Sequence, residues 1–288
     1  MPESSVSESS NATEADSLVV AGIGLITGKP VEVTIRLATS GHGVVFYPKS
    51  LQGEPIPARL ASVVYTDRGV TLANRMGNTL SIVEHFLAGA MLAGFPDLQV
   101  VVRGAPELPI LDGSAQDWLT YFKGQKNWQK RTMQPVSPLS QAIFYRGSGA
   151  IAVYGIPDTH FKVTYAVDFN HPELTSRYVR WDSCNDAGSL VSSAGTFGYV
   201  SELPALQARG LALGANADNS LGLFEEGGYS RPLRHPDEPV YHKILDLIGD
   251  LSLTGLNPLA LPLHVFAINA GHGSHVAFGQ LLLKAIAQ

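Results

Sequence analysis

The chain reads as an α+β protein built from two units of similar plan, each with helices packed on β-sheet. Three observations predict this. The 288 residues, 45% hydrophobic and 16% charged, suffice for two sizeable cores. Apolar periodicity runs twice from strands to a helix, to another strand and on to a further helix. Between the two runs, KGQKNWQKRTMQPVSPLSQ (123–141) breaks the apolar rhythm with charge, amides and proline. No repeat of residue identity joins the halves.

The elements follow in order. MPESSVSESSNATEADS (1–17) is rich in Ser and acidic residues and lacks Lys and Arg. That is the composition of a disordered tail, without the basic and apolar regions of a secretory signal. From Leu18 the pattern turns to strands: VEVTIRLA (31–38) alternates apolar and polar residues, and GVVFYP (43–48) follows a GHG turn. NTLSIVEHFLAGAMLAG (78–94) has helical length and composition and ends in Gly94. LQVVVRG (98–104) is a strand, and DGSAQDWLTYFKG (112–124) a helix capped by Asp112 or Ser114.

The second run opens with the strands QAIFYRG, AIAVYGI and FKVTYAVDF (161–169). Helices are expected at 201–210 and 239–251, a strand at 261–269 and a last helix at 274–288. The expected division is a tail at 1–17, a first unit at 18–124, a linker at 125–141 and a second unit at 142–288.

Composition removes several classes of function. A net charge of -5 without any Lys/Arg cluster offers no footprint for nucleic acid. A single cysteine, Cys184, excludes an intramolecular disulfide framework and any multi-cysteine metal site, and fits a reducing compartment. The longest apolar run, around 86–95, is too short to cross a bilayer. A cytoplasmic location is expected. GIGLITGKP (22–30) fails as a phosphate loop: Ile23 and Pro30 break the Walker pattern, and Gly22, Gly24 and Gly28 miss the dinucleotide spacing. Its glycines suit a hairpin.

The chemistry concentrates in PVYHKILDLIGDL (239–251). Here His242, Asp246 and Asp250 recur every four residues, each step advancing about 40° around a helix. They form one polar stripe on an otherwise apolar helix, costly to bury without partners. Spacing leaves two readings open. His242 with Asp246 is a platform for a divalent metal needing a third ligand, or the carboxylates pair with Arg or Lys. Glu84-His85 offers a ligand beside a carboxylate, yet Ser81-x-x-Glu84 also fits a helix capping box. His272 in AINAGHGSH is a third pointed histidine, whereas His264, His42 and His235 suit structural roles.

These segments resemble the UDP-3-O-acyl-N-acetylglucosamine deacetylases, the zinc-dependent LpxC family of lipid A biosynthesis. VEH, ILDGSA, DFNHP, TFG and HKILDLIGDL occur in the family's order, and the resemblance covers nearly everything after residue 18. It implies two α+β domains with helices sandwiched between sheets and the active site at their interface. It implies zinc (Fe2+ can substitute) on His85, His242 and Asp246, with Glu84 as general base. His272 matches the cationic general acid and Asp250 the residue that orients it. Thr196 matches the hydroxyl that helps hold the oxyanion. Lys243 falls near the substrate's phosphates and carbonyl, Phe169 where uracil stacks and Phe197 near the glucosamine.

The implied partner is UDP-3-O-acyl-N-acetylglucosamine, acted on by a monomer that touches the membrane surface only transiently through its acyl substrate. The alternatives are a zinc amidohydrolase acting on another N-acyl sugar nucleotide and a non-catalytic protein that retains the metal. The chain departs from the family pattern at Ile26 (histidine in the family), Gly195 and Tyr241 (arginines) and Pro239 (phenylalanine). YTDRGVTL and AGHGSHV also replace familiar stretches, and several of these changes remove positive charge around the expected ligands.

Overall fold

The computed structural model describes residues 17–130, 136–148, 152–186 and 188–287. The expected tail, apart from Ser17, lies outside them, as do residues 131–135 of the expected linker.

The first half contains β1 (Leu18–Ile23), β2 (Pro30–Leu37), β3 (Val44–Pro48), β4 (Ile56–Pro57), β5 (Val63–Tyr65), β6 (Thr71–Ala73), β7 (Thr79–Ser81), α1 (Glu84–Ala93), β8 (Leu98–Gly104) and α2 (Gln116–Lys123). β1 and β2 form the hairpin expected from the glycines. Gly24 N–H donates to the Lys29 carbonyl (2.9 Å), and Gly28 takes φ 65°, open to glycine without a Cβ penalty. Along β2, Val31, Val33 and Ile35 point inward and are nearly inaccessible, as period-two alternation requires.

The helix expected over 78–94 begins later. Thr79–Ser81 pairs instead with β6, Leu72 facing Leu80. Ile82 then takes φ 57°, a conformation that interrupts any regular element and is strained for a β-branched residue. α1 ends at Gly94 in the left-handed conformation, as expected. Ahead of α2, Asp112 accepts from Ser114 N–H, and Ser114 Oγ accepts from Gln116 N–H, so both cap candidates shape the turn. Trp128, inside the expected linker, packs edge-on against Phe95 in the aromatic core.

The second half contains β9 (Ile143–Arg146), β10 (Ala152–Pro157), β11 (Lys162–Val167), β12 (Arg177–Asp182), α3 (Gly188–Ser192), β13 (Phe197–Tyr199), α4 (Leu203–Ala208), β14 (Leu221–Leu223), α5 (Glu238–Ser252), β15 (Leu263–Ile268) and α6 (His272–Ile286). Two five-stranded sheets carry the molecule, ordered β1-β2-β8-β3-β4 and β9-β10-β15-β11-β12. Strand directions match as well. In each sheet the third and fourth strands run parallel and every other neighbour antiparallel. The similar plan read from periodicity is therefore a shared topology, with a helix before and after the last strand of each half.

The buried apolar residues of both halves join in one contiguous core. α1 packs on α5, and one residue permits the close approach. A Cβ at Gly249 would overlap the backbone carbonyl of Glu84, so glycine is required where α5 crosses the start of α1.

Candidate metal centre

α5 is covered on nearly every side, so its polar stripe is buried with it: His242, Asp246 and Asp250 are 3%, 2% and 0% exposed. Glu84 and His85, in the first turn of α1, are buried at the same place. The close α1–α5 crossing brings His85 Nε2 to 3.9 Å from Asp246 Oδ1, and His242 Nε2 lies 3.3 Å from the same oxygen. The two imidazole rings sit edge to face, 5.0 Å between centroids. Donors each about 2.1 Å from a tetrahedral metal stand about 3.4 Å apart, so these three atoms fit around one ion.

Three further observations test that fit. Asp246 Oδ1 is buried and has no hydrogen-bond partner, an orphaned acceptor that folding would otherwise disfavour. His242 Nδ1 lies 2.9 Å from the Ala194 carbonyl, which requires the proton on Nδ1 and leaves the Nε2 lone pair aimed at Asp246. Burial, followed by the neighbouring His242, lowers His85 to a pKa of about 3, and burial also lowers His242. Both rings are neutral and able to donate a lone pair, as ligation demands. Burial alone would raise Asp246, but Lys243 and the surrounding histidines hold it well below the ordinary carboxylate range. The residues fit a divalent cation.

Glu84 is not a capping residue. Ser81 belongs to β7 and bonds Thr71 through its hydroxyl, while Glu84 Oε2 accepts from Val70 N–H at 3.1 Å. Burial raises its pKa to about 7, with Asp250 and Asp246 adding to the rise and His272 opposing it. A carboxylate poised near neutrality can exchange a proton at physiological pH.

His272 opens α6 with Nδ1 2.8 Å from Asp250 Oδ2 and Nε2 3.9 Å from Asp246 Oδ2. One ring nitrogen is anchored and the other faces the cluster. Burial works against its charge, but Asp250 and Asp246 outweigh that and raise its pKa to about 9. Asp250, which burial alone would push up, is held down by His272 and by hydrogen bonds from His272 and His275.

Of the remaining expected residues, Phe197 and Lys243 touch this cluster directly. Phe197 stands edge-on to His242, 5.8 Å between centroids, and Phe169 lies 5.7 Å from Phe197. Thr196 is tied down by its backbone, its N–H donating to Gly113 and its carbonyl accepting from Leu221. Lys243 is engaged: its Nζ lies 2.6 Å from Asp246 Oδ2. Among the described residues a separate group, His160, Asp182 and Cys184, also sits within ligating range. There the Asp182 carboxylate is already taken by His160, Cys184 N–H and Asn185.

Sequence reading missed two parts of the site. His275, fully buried, shares Asp250 Oδ2 with His272 at 2.8 Å and meets the Tyr165 hydroxyl at 2.9 Å. Its signal was available, since His272 and His275 are three apart on the last helix. The second part is Glu238 with Arg231 and Arg234, for which local spacing carried no signal because RPLRHPDE reads as a turn. No helix among the described residues is long and apolar enough to cross a membrane.

A sequence model of the family LpxC, UDP-3-O-acyl N-acetylglycosamine deacetylase, matches residues 11–284. A UDP-3-O-acyl-N-acetylglucosamine deacetylase of Thermosynechococcus vestitus is 34% identical over 93% of this chain and 90% of its own length. Proteins of the same name from Leptospira biflexa and Chlamydia trachomatis are 32% and 35% identical, over 95% and 92% of this chain and 90% and 92% of theirs.

Proposed function

Because the chain belongs to the UDP-3-O-acyl-N-acetylglucosamine deacetylase family, we propose that its buried His/Asp cluster is a catalytic zinc site. The protein is a hydrolase acting on an amide, and it removes the N-acetyl group of UDP-3-O-acyl-N-acetylglucosamine in lipid A biosynthesis. The observation that carries the reading is the meeting of His85 from α1 with His242 and Asp246 from α5 around an unpartnered carboxylate oxygen.

His85, His242 and Asp246 would hold the metal, two imidazoles and a carboxylate being a donor set suited to Zn2+ that Fe2+ also accepts. When bound, the metal supplies Lewis acidity, which polarises the acetyl carbonyl and acidifies the attacking water. Glu84 takes the water's proton as its oxygen bonds to the carbonyl carbon. Thr196 donates to the oxygen on which negative charge develops, beside the positive field of His272. His272, held at Nδ1 by Asp250, delivers a proton from Nε2 to the amine as the carbon–nitrogen bond breaks, leaving acetate. Phe169 and Phe197 supply apolar walls for uracil and glucosamine, and Lys243 reaches the phosphates once it exchanges its contact with Asp246.

The same reading divides the chain into domains at 18–124 and 142–288, with the site between them. It assigns a monomer to the cytoplasm, in transient contact with the membrane surface through the acyl chain. The test measures metal content and amine release from UDP-3-O-acyl-N-acetylglucosamine on one preparation, before chelation, after chelation and after restoring Zn2+. Turnover that tracks about one metal per chain supports the reading. Full turnover by verified metal-free protein overturns it.

A further inference from the structure

The peptide unit joining Ala194 to Gly195 is held at both ends by α5. Its carbonyl, Ala194 O, meets His242 Nδ1 at 2.9 Å, and its N–H, on Gly195, donates to Glu238 Oε1 at 2.9 Å. Glu238 and His242 are one helical turn apart, so a single face of α5 grips both edges of one planar unit. Glu238 is 0% exposed, and its carboxylate is filled. Oε1 accepts from Gly195 N–H and Arg231 Nη2 (2.8 Å), and Oε2 accepts from Arg231 Nη1 (3.0 Å) and Arg234 N–H (2.7 Å). Arg231 thus neutralises a buried carboxylate in bidentate geometry, the arrangement in which such a charge is tolerated.

Position 195 makes room for this. A Cβ on Gly195 would stand 2.9 Å from Arg231 Nη2 and 3.1 Å from Glu238 Oε1, so the guanidinium occupies the space that a side chain there would need. The cation comes from Arg231, in the loop ahead of α5.

We infer that Glu238 is a positioning residue for the metal ligand His242, acting through the Ala194–Gly195 peptide, with Arg231 as its required counter-ion. The chain of partners runs guanidinium, carboxylate, peptide N–H, peptide carbonyl, imidazole N–H. Because the peptide is rigid and planar, fixing its N–H fixes the carbonyl that orients the ring. Hydrogen bonds in such a row polarise one another, so the carboxylate also makes Nε2 a better donor, as a carboxylate bonded directly to a ligating histidine does.

This rests on the metal reading above, and the experiment separates the two. Zn2+ affinity is measured by competition with a chromophoric chelator for the native protein, Glu238→Leu and the double variant Arg231→Met/Glu238→Leu, since leucine, unlike glutamine, leaves no acceptor for the Gly195 N–H. The double variant leaves no buried charge unpaired, so it folds even where the single variant does not. The expected result is about 10- to 100-fold weaker Zn2+ binding in both, the range seen for residues that orient a ligand. The 15N signals of His242 in the metal-free protein should shift from a single Nδ1–H form in the native chain to a mixture in the variants. A merely structural role would lower the melting temperature and leave both readouts of the folded protein unchanged. Native-like Zn2+ affinity and an unmixed His242 signal in the double variant would overturn the inference alone. A native protein that takes up no Zn2+ overturns the metal reading itself, while the 15N signal still decides whether Glu238 governs the ring.

Discussion

The two halves share a sheet order and a helix ahead of the last strand, yet those helices contribute differently. α1 has ten residues, and after Glu84 and His85 it contains only Phe, Leu, Ala, Gly and Met. It can place polar groups only at its first turn, where it meets the other half. α5 has fifteen residues and carries His242, Asp246 and Asp250 along one stripe. On the proposed reading, one scaffold would supply a base and one ligand from a helix end, and the other two ligands and an orienting carboxylate from a helix flank. Duplicate architecture does not require duplicate chemistry. The site exists only where the two helices cross.

That division can be attacked from either side. The largest effect is expected from His85→Ala and His242→Ala, each weakening metal binding by more than about 100-fold, beyond the range of merely orienting residues. Metal content and kcat/KM would read it. A His85→Ala protein with full metal would mean that the second half builds the centre alone. Next, Glu84→Gln should retain metal and lose about 10²- to 10⁴-fold in kcat, the range for general-base removal. A variant at native rate removes the first half from proton transfer.

Acidity offers a finer comparison, because the proposed mechanism places the base in the first half and the acid in the second. That mechanism needs Glu84 deprotonated and His272 protonated. The rate should therefore rise with pH through the Glu84 pKa and fall above that of His272, from about 7 and about 9 without metal. A bound dication lowers both. His272→Gln should flatten only the alkaline limb of the profile. Loss of the acid limb in that variant would reverse the two assignments. The smallest effect is thermal: chelation should lower the melting temperature by roughly 5–10 °C, from the stabilisation a tight ligand confers. Calorimetry of verified metal-loaded protein should show one transition moving as a whole, since the proposed ligands come from both halves. An unchanged transition would show that the metal does not tie them together.

What was legible in the chain follows the range over which each signal acts. α5 could be read because apolar periodicity and the four-residue polar spacing both lie within one fifteen-residue helix. The convergence of His85 on it could not be read from spacing. It depends on Gly249 meeting the Glu84 carbonyl across 165 positions of sequence, and only resemblance to a family anticipated it. β7 was absorbed into α1 because three residues of strand pattern are too few to stand against a following helical run, and the break at Ile82 is a backbone angle that composition does not show. β12, β13 and β14 escaped for similar reasons of length or mixed pattern. Glu238 looked like a turn residue in HPDEP, since its partners at 195 and 231 are remote in sequence or lie in an irregular loop.

To an engineer, Gly249 is a spacer. The residue bears no side chain and performs no chemistry, yet it sets the gap across which donors remote in sequence must reach. A single methyl placed there would act as a wedge, lifting the start of α1 and carrying an imidazole out of range without altering any group that reacts. Tolerance to mutation in this protein should consequently be low at a position that an inventory of reactive side chains would overlook.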